Sequence, residues 1–306
     1  MTNVPVQVNE VTRQFGDVQA LGGVSLSVDK GEMFGLIGHN GAGKSTLFKL
    51  MLGLLPVSAG EVRVHGTPTG SKDFRQVRRR IGYLPENFVT YDNLTGIEVL
   101  RLFADLKRVA RKECDALLER VGLGAAANRR VRGYSKGMRQ RLGFAQVLLG
   151  NPDLIFLDEP TNGLDAEGIH DFYRILREVQ SQGATIIITS HILAEIQERV
   201  DRLVILSSGR VAAQGTIAQL RAQMVLPSVI EVSLHPGYGG EVHGTLSRAE
   251  GLKMDLGEDI ARISCPASEK VAVLQLLATM AHAVRDITIR EPSLEDLFLG
   301  YGGQHA

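Results

Sequence analysis

The chain has 306 residues, room for one large domain or two modest ones that each bury a core. Lys and Arg total 34, as do Asp and Glu, so the formal net charge is zero and nothing in the balance favours nucleic acid or an anionic membrane. The two cysteines, Cys114 and Cys265, lie outside any CxxC, which argues against a disulfide scaffold or cysteine zinc site and fits a reducing compartment.

In chain order, the start MTNVPVQVNEVTRQFG lacks the basic-then-apolar order of a secretory leader. The segments VSLSV (24–28), MFGLI (33–37), LIFL (154–157), TIIIT (185–189) and RLVIL (202–206) read as strands, with KSTLFKLMLGLL and GIHDFYRILREVQ as helices between them. Three of these strands are almost continuously apolar, as strands covered on both faces by helices are, so the pattern predicts an α/β fold around a mostly parallel sheet. Residues of about 70–150 read as a helical insertion. There TGIEVLRLFADLK carries Thr95 and Glu98 in capping-box spacing, and RKECDALLERVGL is a second helix ended by Gly122. Beyond Leu220, residues 221–306 read as a small α+β appendage. VIEVSL is a strand, HPGYGGEVHG a turn region, then comes strand–helix–strand, and Ser293 and Asp296 cap a short final helix. No apolar run reaches the roughly 18 residues that span a bilayer, so a membrane role needs a partner.

The densest motif is GHNGAGKST: Gly38, His39, Asn40, Gly41, Ala42, Gly43, Lys44, Ser45 and Thr46. It matches G-x-x-x-x-G-K-[ST] and stands between an apolar strand and a helix, the context in which that loop cradles phosphates. Glycines let backbone amides approach an anion closely, and the helix start adds positive potential. Lys44 is the expected contact of the β- and γ-phosphates and Ser45 the expected hydroxyl on Mg²⁺. LIFLDEP puts Asp158 and Glu159 at the end of a buried strand, where two acids are costly unless a cation or a proton transfer employs them. Asp158 is assigned to Mg²⁺, directly or through water, and Glu159 to taking a proton from the attacking water. TIIITSH brings His191 to the same rim, within reach of a γ-phosphate. A lone strand-end histidine is more often structural; the neighbouring acids favour the chemical role.

YSKGMRQRLGFAQVLLG supplies a second helix start. Ser135 suits an N-cap, and Met138, Leu142, Ala145 and Leu149 recur on one face. Ser135, Lys136 and Gly137 then form a second anion site in a chain whose first loop already holds a nucleotide. The economical reading is that they grip the γ-phosphate of a nucleotide held by another subunit.

Taken together, GHNGAGKST, YSKGMRQR, LIFLDEP, TNGLD and the SH pair resemble the ATP-binding subunit of ABC transporters over about residues 4–220. The resemblance makes GHNGAGKS the Walker A loop, LIFLDE the Walker B strand and TNGLD the D-loop, with Asp165 near the dimer contact. YSKGM is the signature, where the family usually has LSGGQ, and His191 is the switch histidine. Phe15 becomes the aromatic that stacks on adenine, the plainer alternative being a core phenylalanine. Glu86, in GYLPEN, stands where the family commonly has glutamine; it either binds the metal through water or acts at the contact with a membrane subunit. The implied fold is a P-loop NTPase core, and the implied cofactors are ATP and Mg²⁺. The implied assembly is a sandwich homodimer that drives an integral membrane permease from the cytoplasmic face of the inner membrane.

VRRRIGYLPEN, RRVRGYSKGMRQRLGFAQVLLG and EPSLEDLF further resemble the ATPase of the transporter that serves copper-site maturation of nitrous oxide reductase, a role that implies a periplasmic accessory protein. Similar segments occur in ATPases of drug, lipid and polysaccharide exporters, which is the alternative role. A soluble ABC ATPase, such as one in iron–sulfur assembly, is another alternative, and the appendage fits it poorly. No Met or Cys cluster gives this chain a copper site by spacing.

Overall fold

Val6, Val8 and Val11 bury one face of β1 (Val6–Phe15), which pairs antiparallel with β2 (Val18–Val28). The computed structural model describes residues 4–223, 227–246, 252–257, 259–266 and 268–290, and the chain divides into two units between Ile217 and Ala218.

In the first unit β3 (Met33–Gly38) is buried along its whole length and leads through the glycine-rich loop into α1 (Lys44–Met51). β4 (Ala59–Val64) and β5 (Thr67–Pro68) complete an antiparallel sheet of order β2-β1-β4-β5. The expected strand 24–28 lies within β2 and so belongs to this sheet. Its pattern is apolar at alternate positions, the mark of a strand with one solvated face. α2 (Phe74–Arg78) precedes β6 (Ile81–Leu84).

The helices α3 (Gly96–Lys107), α4 (Glu113–Arg120) and α5 (Lys136–Leu148) follow. Thr95 and Glu98 close the expected capping box on α3, while Ile97, Leu100 and Ala104 are buried. Gly122, with φ 73, follows α4. On α5 Leu142 and Ala145 are buried and Met138 is half-buried.

Then come β7 (Leu154–Asp158), α6 (Ala166–Ser181), β8 (Thr185–Ser190), α7 (Leu193–Ile196), β9 (Arg202–Ser207) and β10 (Arg210–Gly215). The second sheet has the order β10-β9-β3-β8-β7-β6; all pairings are parallel except that of β10 with β9. The helical segment therefore begins after β6, because residues 81–84 join the core sheet beside β7; four residues are too short to declare themselves by periodicity. α1 packs on both sheets, with Phe48 edge-on to Phe156 of β7 at 5.4 Å between ring centres. Because β3, β7 and β8 run parallel, their carboxyl ends share one rim, where open α/β sheets bind ligands.

α8 (Ile217–Gln223) begins at the boundary, and the second unit continues with β11 (Ser228–Leu234), α9 (Gly239–Leu246), β12 (Lys253–Leu256), β13 (Ile260–Cys265), α10 (Lys270–Thr279) and β14 (Val284–Arg290). The strands order as β12-β13-β11-β14, all antiparallel. Val242 and Leu246 of α9 and Val273 and Leu277 of α10 close a core with Ile230, Val232, Ala261 and Ile263, so both helices cover one face. The expected turn region 235–244 contains the start of α9: buried Val242 and Leu246, four apart, hold a helix despite the glycines. The predicted final helix at Ser293 and Asp296 lies outside the described residues. Among the described residues no helix is long and apolar enough to cross a membrane.

Candidate functional site

Gly43 has φ 103, and a Cβ there would stand 2.7 Å from Leu21 Cδ2 and 2.9 Å from the Ala20 carbonyl oxygen. Only glycine lets the loop close against β2 at this point. α1 starts on Gly43 with no side-chain cap. Its first amides are therefore presented, with the positive end of the helix, to an anion.

A cavity of about 290 Å³ opens in front of them. His39, Asn40, Gly41, Gly43, Lys44, Ser45 and Thr46 line it from the loop; Glu86, Glu159, Asn162 and His191 line it from the strand ends. Gly38 and Ala42 shape the loop from behind: the Gly38 carbonyl accepts from Lys44, and Ala42 is fully buried.

The Lys44 ammonium donates to the Gly38 carbonyl at 2.5 Å and to that of His39 at 3.4 Å, and stands 3.7 Å from Glu159 Oε1. Burial pushes its pKa below the ordinary lysine value, while Glu159 and Asp158 pull it up. Asp158 is buried; desolvation raises its pKa, opposed by a hydrogen bond from Thr189. Thr189 Oγ1 donates to Asp158 Oδ1 at 2.7 Å and accepts from the Glu159 amide at 2.9 Å. One hydroxyl on β8 thus fixes both acids at the end of β7.

Glu159 has φ 48, a left-handed conformation that costs a non-glycine residue energy and collects at functional sites. Its Oε2 lies 2.8 Å from His191 Nδ1. A carboxylate oxygen only accepts, so Nδ1 carries the hydrogen; Nε2 of the neutral ring can accept from a water, and it can donate to a phosphate oxygen only when it carries a hydrogen as well. The hard oxygens of Ser45 and Asp158 suit Mg²⁺, and the amide cradle with one buried lysine suits a phosphate chain. Glu86 is exposed at the cavity edge, and its charge bears on both Lys44 and Asp158.

The remaining candidates lie elsewhere in the first unit. Phe15 is 42% exposed at the end of β1, with the Arg13 guanidinium 4.5 Å from its ring centre; it is not a core residue. Ser135 caps α5, accepting from the Met138 amide at 3.2 Å. Ser135, Lys136 and Gly137 border a separate cavity with Gly163 and Asp165. The TNGLD turn joins the two cavities, with Asn162 on the first and Asp165 on the second. In a single chain, therefore, the loop and the YSKGM helix start do not face the same space.

The ABC transporter family model matches residues 21–162. The Nod factor export ATP-binding protein I of Rhizobium meliloti (strain 1021) is 36% identical over 309 aligned positions, covering 98% of this chain and 89% of its own. The chain belongs to the ABC transporter ATP-binding subunits. A daunorubicin resistance ATP-binding protein of Streptomyces coeruleorubidus is 33% identical, covering 99% of this chain and 97% of its own. A solved dimeric ATP-binding cassette in a post-hydrolysis state, bound to ADP and Pi, superimposes with TM-score 0.64 at 27% identity, covering 69% of this chain and 98% of its own. As an ABC ATPase subunit, this chain binds and hydrolyses ATP, and the family works as dimers with membrane permeases.

Within this ABC fold three site residues escaped the sequence reading. Thr189 passed as one more β-branched strand residue. Asn162 stood in the D-loop without a role. Gln140 is buried and its amide donates to the Pro160 carbonyl at 2.8 Å, tying the signature helix to the exit of β7; a glutamine on the apolar side of α5 was its only signal.

Proposed function

We propose that this chain is the motor of an exporter, a homodimer that closes on two ATP molecules and drives an integral membrane permease from the cytoplasmic face of the inner membrane. The observation that carries the reading is the separation of the two anion sites: Lys44, Glu159 and His191 share one cavity, while Ser135 and Gly137 border another. A second copy brings its signature to the open side of the first cavity, so each ATP is sandwiched.

Lys44 leaves the Gly38 and His39 carbonyls for the β- and γ-phosphates. Ser45 and Asp158 would hold Mg²⁺, which would supply neutralisation of the phosphate charge. Glu159 takes the proton of the attacking water, a contribution of roughly 10²–10⁴-fold. His191 keeps Glu159 in place through Nδ1, and its Nε2, when it too carries a hydrogen, donates to the γ-phosphate. Phe15, exposed, supplies a face for adenine. Glu86 sits where the cavity meets the surface and reports the state of the phosphates to the permease.

Export is favoured because the similarity to the Nod factor and daunorubicin proteins runs through the second unit as well as the cassette. The copper-maturation role, with a periplasmic accessory protein, rests on the three sequence segments quoted above. The test is a mild-detergent pull-down of tagged protein from its native membranes, with partners identified by mass spectrometry. A lone multi-span permease is the expected result. A permease accompanied by a periplasmic copper- or reductase-linked protein would replace export by maturation, and no membrane partner would overturn both.

A further inference from the structure

The second unit carries a strand whose outer edge is complementary to itself. Among the described residues β14 ends its sheet, paired on one side only, with β11. The Ile287 amide donates to the Asp286 carboxylate of its own chain at 2.9 Å. This N–H therefore points to the open side, and by alternation along the regular stretch Asp286 to Arg290 the backbone groups of Ile289 point the same way. Asp286, Thr288, Ile289 and Arg290 are exposed, and among the described residues no ion pair holds Asp286 or Arg290. An open edge is a template for another strand unless proline, a bulge or like charge blunts it. From Asp286 to Arg290 the strand has no proline, its register with β11 is regular, and its two charges are opposite.

The order of those residues selects the occupant. Laid antiparallel on a second copy with Thr288 opposite Thr288, β14 sets Asp286 against Arg290 and Ile287 against Ile289, each pair twice by the two-fold axis. Centring on Ile287 instead puts Asp286 opposite Thr288 and Arg290 opposite Val284. Centring on Ile289 puts Arg290 opposite Thr288. Only the Thr288-centred register satisfies both charges and both isoleucines.

We propose that β14 pairs antiparallel with β14 of a second copy, centred on Thr288, so that two second units share one continuous sheet. Asp286 exchanges its own-chain amide for Arg290 of the other copy, and the freed Ile287 amide enters the new ladder. The pairing uses none of the nucleotide-site residues and needs no ATP, so it stands or falls apart from the ATPase reading.

The test is sedimentation of the full chain without nucleotide, for the wild type, Asp286→Arg, Arg290→Asp and an equimolar mixture of the two variants. Each substitution is on an exposed side chain, and unchanged thermal unfolding and nucleotide binding check that both variants are folded. The wild type self-associates. Each variant alone sets like charges opposite each other and associates about tenfold or more weakly. The mixture restores both opposite-charge pairs and associates like the wild type. A monomeric wild type, variants that associate as the wild type does, or a mixture no more associated than its parts would overturn the proposal.

Discussion

The Thr189 hydroxyl, on β8, donates to the Asp158 carboxylate, on β7, at 2.7 Å. The same oxygen accepts from the Glu159 amide, so one hydroxyl registers Asp158, proposed to hold Mg²⁺, against Glu159, proposed as the base. Thr189→Val keeps the shape and removes both bonds, leaving the buried Glu159 amide without its acceptor. Stability falls by about 1–3 kcal/mol, read by urea unfolding, and turnover falls more than ATP affinity does. Unchanged turnover would mean that the strand ends align the acids without this hydroxyl.

Asp158 predicts a trade of stability for function. Its folded pKa lies above the ordinary 3.8 because burial disfavours the carboxylate. A raised acid pKa gives stability that is fully present below the unfolded value and is lost as pH rises through the folded one. At neutral pH the ionised group thus destabilises the nucleotide-free fold. Asp158→Asn removes that cost: Tm rises at neutral pH, and the gain vanishes as pH falls below about 4. Mg²⁺-dependent ATP binding weakens in the same variant. A lower Tm at neutral pH would show that the Thr189 hydrogen bond and the attraction of Lys44 outweigh desolvation.

Ser135→Arg tests whether the signature acts on another subunit. Ser135 borders a cavity apart from the one holding Lys44, so ATP binding to the monomer is unchanged while hydrolysis in the dimer stops. Mixing this variant with Lys44→Ala chains sharpens the test, since a mixed dimer retains one composite site with both groups intact. Loss of monomer binding, measured by titration calorimetry, would contradict action across the interface.

Much of the site was legible because its chemistry is local in sequence. The phosphate loop, the strand-end acids and the Ser135 cap each declare themselves within a few residues. What stayed hidden depends on contacts between distant segments. Thr189 matters through Asp158, 31 positions away. Glu159 and His191 face each other only because β7 and β8 are neighbours. Tyr134 looked like a departure from the family signature. It is buried, and its hydroxyl donates to the Ala126 carbonyl at 2.8 Å, so the larger side chain stays clear of the anion site. Strand 24–28 is legible as a strand, but its sheet is not, since alternation gives one solvated face without naming the partner. Strand 81–84 was too short for its period to be seen, and α9 was masked by glycines that tertiary packing overrides.

Glu159 is the proposed base for hydrolysis in a dimer closed on ATP. Single-turnover ATP hydrolysis by Glu159→Gln, with ATP binding and sedimentation followed in the same sample, tests it most directly. The expected result is retained ATP binding, a trapped ATP-bound dimer and hydrolysis slowed by roughly 10²–10⁴-fold. Hydrolysis at the wild-type rate would remove Glu159 as the base and with it the role assigned to its contact with His191.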